Sequence, residues 1–208
     1  MTRTIDRAAS RFAGEACRIV CKSTPGAPKF IAGYADDARA APGMLHLLRE
    51  YHDGFDGFVL ACHGDPNLDA ARQIADKPVV GIGEASMTIA SMLGHKFSIL
   101  SPDERIIPSK EEQVRTYHLE ARLASIRIPD HRAGRTLEEG LLEAAGLAVE
   151  HDMAEVIVLG CAAYAGLERI LSEKLQVPVV DGVMCALMIV EGLVKCGLSH
   201  SKRRKYGG

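Results

Sequence analysis

The chain has 208 residues, of which 47% are hydrophobic and 25% are charged, and its formal net charge is −2. This balance is ordinary for a globular protein and gives no electrostatic basis for binding nucleic acid or a membrane surface. No apolar run approaches the ~20 residues that a membrane-spanning helix needs. The six cysteines follow a charged first segment without the pattern of a secretory signal. We therefore expect reduced thiols and a cytoplasmic protein.

Short apolar runs alternate with longer amphipathic stretches along the chain. The runs predict seven strands, at 17–23, 57–62, 78–83, 97–101, 124–128, 155–161 and 178–183. The stretches predict seven helices, at 42–52, 66–75, 85–93, 109–119, 136–151, 164–175 and 183–196. Short strands joined by helices are typical of an α/β fold whose parallel sheets are covered on both faces.

One stretch of the sequence occurs twice. Residues 56–83, DGFVLACHGDPNLDAARQIADKPVVGIG, resemble residues 154–183, AEVIVLGCAAYAGLERILSEKLQVPVVDGV. In each copy a strand ends at a cysteine, a helix follows, and Pro-Val-Val begins the next strand. The first cysteine precedes its proline by 16 residues and the second by 17. This matched spacing indicates an internal duplication and two similar α/β halves.

The two repeated cysteines, Cys62 and Cys161, stand at the carboxyl ends of predicted strands, where open α/β sheets bind ligands. The helix after each cysteine presents free backbone N–H groups and a dipole that favour a thiolate. Two thiols facing each other suit racemisation at a carbon next to a carbonyl, because one removes a proton and the other returns one to the opposite face. Backbone N–H groups nearby would hold the oxyanion. The alternative is a pair of buried structural cysteines.

Four motifs point to a known family. ACHGDPNLDAAR, PVVGIGEASM, VLGCAAYAGL and VPVVDGV resemble the aspartate/glutamate/hydantoin racemase superfamily, specifically its hydantoin and allantoin racemase branch. The resemblance runs from about residue 2 to Tyr206. It implies two pseudo-symmetric Rossmann-like lobes with parallel sheets and an active site in the cleft between them. Lobe one would comprise residues 1–83 and 183–208, and lobe two residues 84–182.

The resemblance also implies a reaction. It is the racemisation of 5-substituted hydantoins or allantoin by Cys62 and Cys161, through an enolate-like intermediate and without a cofactor or metal. The expected partner is a small cyclic ureide, with no nucleic acid and no membrane. Members of this branch form homo-oligomers, often tetramers or hexamers, and we expect the same here.

The motifs also suggest residues that bind substrate. The candidates are His63, Gly64, Ser101, Ala162, Ala163, Pro28 and Ile31. The small residues beside the cysteines would let a ligand approach the backbone, and the serine would donate a hydrogen bond. Pro28 and Ile31 lie in APKFIAG, where the family usually has Gly-Pro-x-Ser-Ile-Glu-Gly.

Three further expectations concern residues outside the proton transfer itself. Asp65, which precedes Pro66, is predicted to cap the helix that follows it. The other four cysteines are expected to be buried bystanders: Cys17, Cys21, Cys185 and Cys196. The segment GIGEAS resembles part of a dinucleotide fingerprint, but Ser86 stands where the third glycine belongs, which disfavours binding of NAD.

The start of the chain departs from the family pattern. Members usually open with a short strand and an Asn-Pro-Asn-Thr turn, whereas MTRTIDRAAS resembles the helix after that turn. The first strand of lobe one is therefore expected to be missing, through a misassigned start or a shortened paralogue. Two alternatives stay open: an amino-acid racemase or diacid isomerase of the same superfamily, and a non-catalytic paralogue that acts in binding or assembly. No Arg or Lys lies within four residues of either repeated cysteine, which disfavours a diacid substrate.

Overall fold

The structure, a computed structural model, describes residues 1–13, 17–130 and 134–207. Within these residues six strands form two parallel sheets. The strands are β1 (Phe58–Leu60), β2 (Val79–Gly81), β3 (Phe97–Leu100), β4 (Leu123–Arg127), β5 (Val156–Leu159) and β6 (Val179–Asp181). The first two pair with each other, and the other four pair in the order β4-β3-β5-β6. We call the half around the two-stranded sheet lobe one and the half around the four-stranded sheet lobe two.

Helices connect and cover the strands. They are α1 (Thr2–Ala13), α2 (Tyr34–Glu50), α3 (Leu68–Ile74), α4 (Ile82–Leu93), α5 (Ile107–Thr116), α6 (Leu137–His151), α7 (Glu168–Leu175) and α8 (Gly182–Lys195). Helices α4 and α8 begin at the residue after β2 and β6 and pack against each other. The duplicated halves therefore meet through equivalent helices. No helix in the described ranges is long and apolar enough to cross a membrane.

Alternate strand residues face different layers, because side chains of a strand point to opposite sides in turn. Val79 belongs to an apolar cluster with α2 and α3, whereas its neighbour Val80 belongs to the central cluster with α4 and α8. In the other sheet, Val158 faces the same central cluster and Ile157 faces a third cluster with α6 and α7. The order of layers is thus helices, sheet, central helices, sheet, helices. Both lobes share the central core, and their predicted residue boundaries stay a prediction.

The α/β class with parallel sheets is confirmed, and six predicted strands are present: five are shorter than predicted, and β4 begins and ends one residue earlier. The seventh, at 17–23, is wrong: these residues are irregular, and among the described strands β1 pairs with β2 alone. An apolar run becomes a strand only if another strand completes its hydrogen bonds. Helix α2 starts at Tyr34, well before the predicted residue 42, because the helix tolerates Pro42 in its interior. Proline is most common in the first turn of a helix, which explains the late predicted start.

Candidate active site

The two repeated cysteines open into the same cavity. Cys62 follows β1 and Cys161 follows β5, and both line a cavity of about 1170 Å³. The two sulfurs are near enough to interact electrostatically. Each lies where the carboxyl end of a parallel strand gives way to a loop, which is the usual position of ligand sites in open α/β sheets.

The loops after the two cysteines have matching backbones. In the first, Asp65 N–H donates to the Cys62 carbonyl at 2.9 Å, and in the second, Tyr164 N–H donates to the Cys161 carbonyl at 3.0 Å. Each sulfur also accepts a hydrogen bond from the backbone N–H two residues later, at Gly64 in the first loop and at residue 163 in the second. Each turn therefore directs one amide toward its own thiol.

Burial dominates the electrostatics of both thiols. It raises the pKa of Cys62 and of Cys161, while the backbone N–H group at each sulfur and the positive charge of Lys110 act in the opposite direction. The expectation that a helix N-terminus would lower both pKa values is therefore wrong as a net result. The loss of water around each half-buried sulfur costs the thiolate more than one amide and one cation return.

Asp65 fastens the first loop to a helix, although not to the predicted one. Its Oδ1 accepts from Gly83 N–H at 2.9 Å and its Oδ2 from Glu84 N–H at 2.7 Å, so it caps α4. Helix α3, which the sequence suggested as its target, begins after Asn67 without a side-chain cap. Asp65 has a positive φ of 47°, and this backbone turns its carboxylate back toward β2. The prediction of a cap is right in kind and wrong in target.

A buried chain of polar groups runs behind Cys62. His63 is almost fully buried, and burial together with the nearby cation lowers its pKa well below the usual value, so its ring is neutral. Lys110 Nζ lies 2.5 Å from His63 Nδ1 and donates to it, because an ammonium group has no acceptor. His63 Nε2 then donates to Ser86 Oγ at 3.2 Å, and Ser86 donates to the Gly83 carbonyl at 3.0 Å. His63 is thus held in one orientation.

One face of α5 supports this loop. Lys110, Gln113 and Tyr117 follow one another at spacings of three and four residues, which places them on the same side of a helix. Gln113 Nε2 donates to the His63 carbonyl at 2.8 Å and to Asp65 Oδ2 at 3.2 Å. The Tyr117 hydroxyl, just beyond the end of the helix, donates to Asp65 Oδ2 at 2.8 Å. A helix of lobe two therefore positions the cysteine loop of lobe one.

Lys110 is the site residue that the sequence did not reveal. It lines the cavity, is only 4% exposed, and interacts electrostatically with Cys62, Asp65 and Cys161. Burial lowers its pKa to about 8. Lys110 lies far from either cysteine in the chain and reaches the site from helix α5, so the sequence around the cysteines does not indicate it. A lysine among the polar residues of a short amphipathic helix carries no sequence signal of burial.

The structure brings most of the predicted binding residues to the cavity and leaves two away from it. The cavity is lined by Pro28, Ile31, His63, Gly64 and Ala162. Ser101 does not line it: its side chain is fully buried, and its Oγ donates to the Asp103 carbonyl at 3.3 Å. Ala163 contributes its N–H to the Cys161 sulfur rather than a cavity wall. Whether these residues bind substrate stays a prediction.

The other cysteines differ from expectation. Cys185 is buried as predicted, but Cys17 and Cys196 are exposed and Cys21 is half-buried. The segment that carries Cys17 and Cys21 is irregular rather than a strand in the core, which accounts for their exposure. Across residues 1–13, 17–130 and 134–207, no cluster of three or more His, Cys, Asp or Glu side chains could hold a metal ion.

Comparison with known proteins places this chain in a family. The family model Asp/Glu/Hydantoin racemase matches residues 1–190. The chain belongs to this family. It is 38% identical to the hydantoin racemase of Pseudomonas sp. (strain NS671) over 99% of its own length and 86% of that protein.

Solved structures agree with the family. An allantoin racemase from Klebsiella pneumoniae superposes with a TM-score of 0.93 at 35% identity, covering 99% of this chain and 86% of the other. The allantoin racemase from Pseudomonas fluorescens gives a TM-score of 0.90 at 32% identity, over 99% and 90% of the two chains. The predicted membership of the hydantoin and allantoin racemase branch is confirmed.

Proposed function

We propose that this protein is a cofactor-independent racemase of 5-substituted hydantoins or allantoin, in which Cys62 and Cys161 are the two proton-transfer groups. One observation carries the proposal: the two thiols end equivalent strands of a duplicated fold and line one cavity. The relatives named as hydantoin and allantoin racemases support the substrate class.

The chemistry follows from two thiols that reach opposite faces of a carbon atom. A thiolate removes the proton next to the carbonyl, and the C–H electron pair becomes part of an enolate-like intermediate. The other thiol returns a proton to the opposite face, which inverts the stereocentre. For the opposite enantiomer the roles exchange. The N–H groups of Gly64 and Ala163 already donate to the sulfurs, and they are positioned to favour whichever thiol is ionised.

Replacing either thiol tests the scheme. In heavy water, the native protein should abolish the optical rotation of a single enantiomer of 5-methylhydantoin or allantoin and introduce deuterium at the stereocentre. Cys62→Ser and Cys161→Ser should each lower racemisation at least about a hundredfold, because one of the two proton-transfer groups is lost. The exposed Cys196 is not in the cavity, so Cys196→Ser is the matched control. Full racemisation by both single variants would exclude the two-thiol scheme.

A carboxylate-bearing substrate is a second candidate, which covers the amino-acid racemase and diacid isomerase alternatives. Lys110 supports it, because this cation lines the cavity beside both thiols. Turnover of 5-methylhydantoin, hydantoin-5-acetate, allantoin, aspartate and maleate by the same preparation separates the candidates. A preference for the neutral ureides favours the first proposal, and a preference for the acids favours the second.

The remaining parts of the proposal concern context. We propose a cytoplasmic homo-oligomer, on the basis of the family resemblance. A non-catalytic role in binding or assembly is the alternative if the protein binds a hydantoin but exchanges no deuterium. The segment 17–23, which is predicted as a strand and is irregular in the structure, also lines the cavity and favours this alternative.

A further inference from the structure

Lys110 is a buried cation whose hydrogen-bond partner is neutral. Its Nζ contacts the ring of His63 at 2.5 Å, and the low pKa of that ring keeps it uncharged. A cation so deeply buried needs a negative charge nearby to offset the loss of water. Lys110 lines the same cavity as Cys62 and Cys161, and the acidic groups whose charges act on it are Cys62, Asp65 and Cys161. Two of these three are the thiols that open into the cavity.

The proposed reaction places a specific electrostatic requirement on the two thiols. One sulfur must be a thiolate before each turnover, and the negative charge must lie on the other sulfur afterward. Burial disfavours a thiolate at both positions. A cation beside one sulfur alone would trap the charge there and favour one direction. A cation that acts on both sulfurs stabilises the charge before and after the transfer.

We propose that Lys110 is the shared counter-charge of Cys62 and Cys161, a positioning residue that keeps one of the two sulfurs ionised in either direction of proton transfer. This proposal rests on the proposed function, but the electrostatic coupling between Lys110 and the two thiols can be measured without substrate. Lys110 keeps its proton throughout. One thiolate gains the proton from carbon, the other thiol loses its proton to carbon, and the pair carries one negative charge before and after the reaction.

The surroundings of Lys110 support this assignment. His63 and Gln113 hold the loop that carries Cys62, so the ammonium group and the first sulfur keep a fixed relation. Asp65 faces the same region, but its oxygens accept from the N–H groups of α4, from Gln113 and from Tyr117. Those four donors occupy the Asp65 carboxylate and leave the thiols as the acidic groups open to the cavity beside the cation.

The experiment must separate the effect of Lys110 on the thiols from the effects of the other titratable groups around them. Asp65 and Cys161 oppose ionisation of Cys62, and Lys110 favours it. Lys110 also favours ionisation of Cys161, and the phenol of Tyr164 interacts electrostatically with that sulfur. Removing the Lys110 charge should therefore affect both thiols in the same direction, which none of the other groups would do.

The test follows the alkylation of each thiol as a function of pH. Iodoacetamide reacts with thiolates, and mass spectrometry of peptides reports Cys62 and Cys161 separately in the native protein and in Lys110→Met, Lys110→Gln and Lys110→Arg. We expect the pH midpoint of both thiols to rise by one unit or more in the Met and Gln variants, and to stay near the native value in Lys110→Arg. Lys110→Gln retains an N–H donor for His63, so it separates the charge from the hydrogen bond.

Two results would overturn the proposal: unchanged midpoints in Lys110→Met and Lys110→Gln, or a rise at one thiol alone. Deuterium incorporation into substrate, measured on the same preparations, keeps this proposal distinct from the racemase assignment. A rise of both midpoints in a protein that exchanges no deuterium supports the counter-charge and contradicts the racemase. Racemisation with midpoints that do not depend on Lys110 supports the racemase and contradicts the counter-charge.

Discussion

The two cysteine loops have the same backbone turn and different means of fastening it. Both close the turn with a hydrogen bond from the third residue after the cysteine to the cysteine carbonyl. In lobe one that third residue is Asp65, whose carboxylate caps α4. In lobe two the carboxylate is that of Asp181, at the end of β6, which accepts from Val183 N–H at 2.7 Å and from Gly166 N–H at 3.0 Å. Each loop is therefore tied to the helix after the next strand by one buried carboxylate.

The glycine at the end of β2 shows that a carboxylate from the strand and a carboxylate from the loop cannot both be present in one half. Gly81 corresponds to Asp181 in the repeat, since both follow Val-Val. A Cβ atom on Gly81 would lie 2.3 Å from Asp65 Oδ1. The Asp65 carboxylate thus occupies the space into which a side chain at position 81 would project. A strand residue supplies the carboxylate in one half, and a loop residue supplies it in the other.

The difference has a consequence for the site. Because Asp65 lies in the loop itself, α5 can reach it with Gln113 and Tyr117 and can bring Lys110 to the cavity. The second loop carries alanines and Tyr164, and the buried hydroxyl of that tyrosine has no hydrogen-bond partner among the described residues. The buried hydrogen-bond network is therefore concentrated at the Cys62 loop, in a fold whose backbone is nearly symmetric.

The largest expected effect on stability comes from adding a side chain at position 81 while the Asp65 carboxylate is still present. Gly81→Ala should lower the free energy of unfolding by about 3 kcal/mol, because the new methyl group displaces a carboxylate from its buried donors. In an Asp65→Gly background the same substitution should cost much less, because the space is free. Urea unfolding of the four proteins gives the coupling between the two positions.

A matched control for this cycle lies in the same loop. A Cβ atom on Gly64 would meet nothing within 4 Å, so Gly64→Ala should leave stability nearly unchanged. If Gly81→Ala costs the same with and without Asp65, the carboxylate does not occupy the space that a side chain at position 81 needs. The two halves would then differ for another reason.

The burial of Lys110 predicts a dependence of stability on pH. Lys110 has a pKa of about 8 in the folded protein and an ordinary value of 10.5 when unfolded. Between these values the unfolded chain holds a proton that the folded protein lacks, so the free energy of unfolding rises with pH. Below pH 8 the burial of the cation costs about 3 kcal/mol. Lys110→Met removes that cost but leaves His63 Nδ1 without its donor, which costs about 1–2 kcal/mol.

We therefore expect Lys110→Met to be more stable than the native protein by about 1–2 kcal/mol at pH 7, and we expect the advantage to disappear as the pH approaches 10.5. Unfolding in urea at pH 7 and at pH 10, with a reductant present, measures the difference. The exposed Lys174 provides the control, since Lys174→Met should not change the dependence on pH. A native protein that is the more stable of the two at pH 7 would show that its site compensates the cation more fully than its burial suggests.

The sequence predicts the features of the site that are local along the chain and not those that depend on tertiary packing. The repeat is a local pattern of strand, cysteine, helix and Pro-Val-Val, so both thiols and their loops were identifiable. The carboxylate cap depends on which helix the loop meets, and Asp65 reaches α4 rather than the adjacent α3. Lys110 lies far from both cysteines in the chain, and only the packing of α5 across the lobes brings it to them.

The irregular segment at 17–23 also shows that local sequence patterns do not determine long-range contacts. Its apolar residues have the local pattern of a strand, but a strand also needs a neighbour, and pairing is decided at long range. Helix α2 is a milder case, because a helix is predicted at 42–52 and present, but it begins at Tyr34 and contains Pro42 in its interior. The pairing of a strand and the target of a helix cap both depend on a second element, which the local sequence pattern does not contain.

The smallest expected effect concerns the left-handed residue five positions after each cysteine. Gly166 has a φ of +89° and Asn67 a φ of +59°, so both loops need this conformation, but only the second uses its N–H to reach Asp181. A Cβ atom on Gly166 would meet nothing within 4 Å, so Gly166→Ala should cost about 1 kcal/mol through backbone strain alone. Asn67→Gly should be nearly neutral, because glycine relieves strain while the hydrogen bond to the Asp37 carbonyl is lost. Thermal unfolding of both variants compares the loops directly, and equal effects would mean that the carboxylate of Asp181 does not hold the second turn in place.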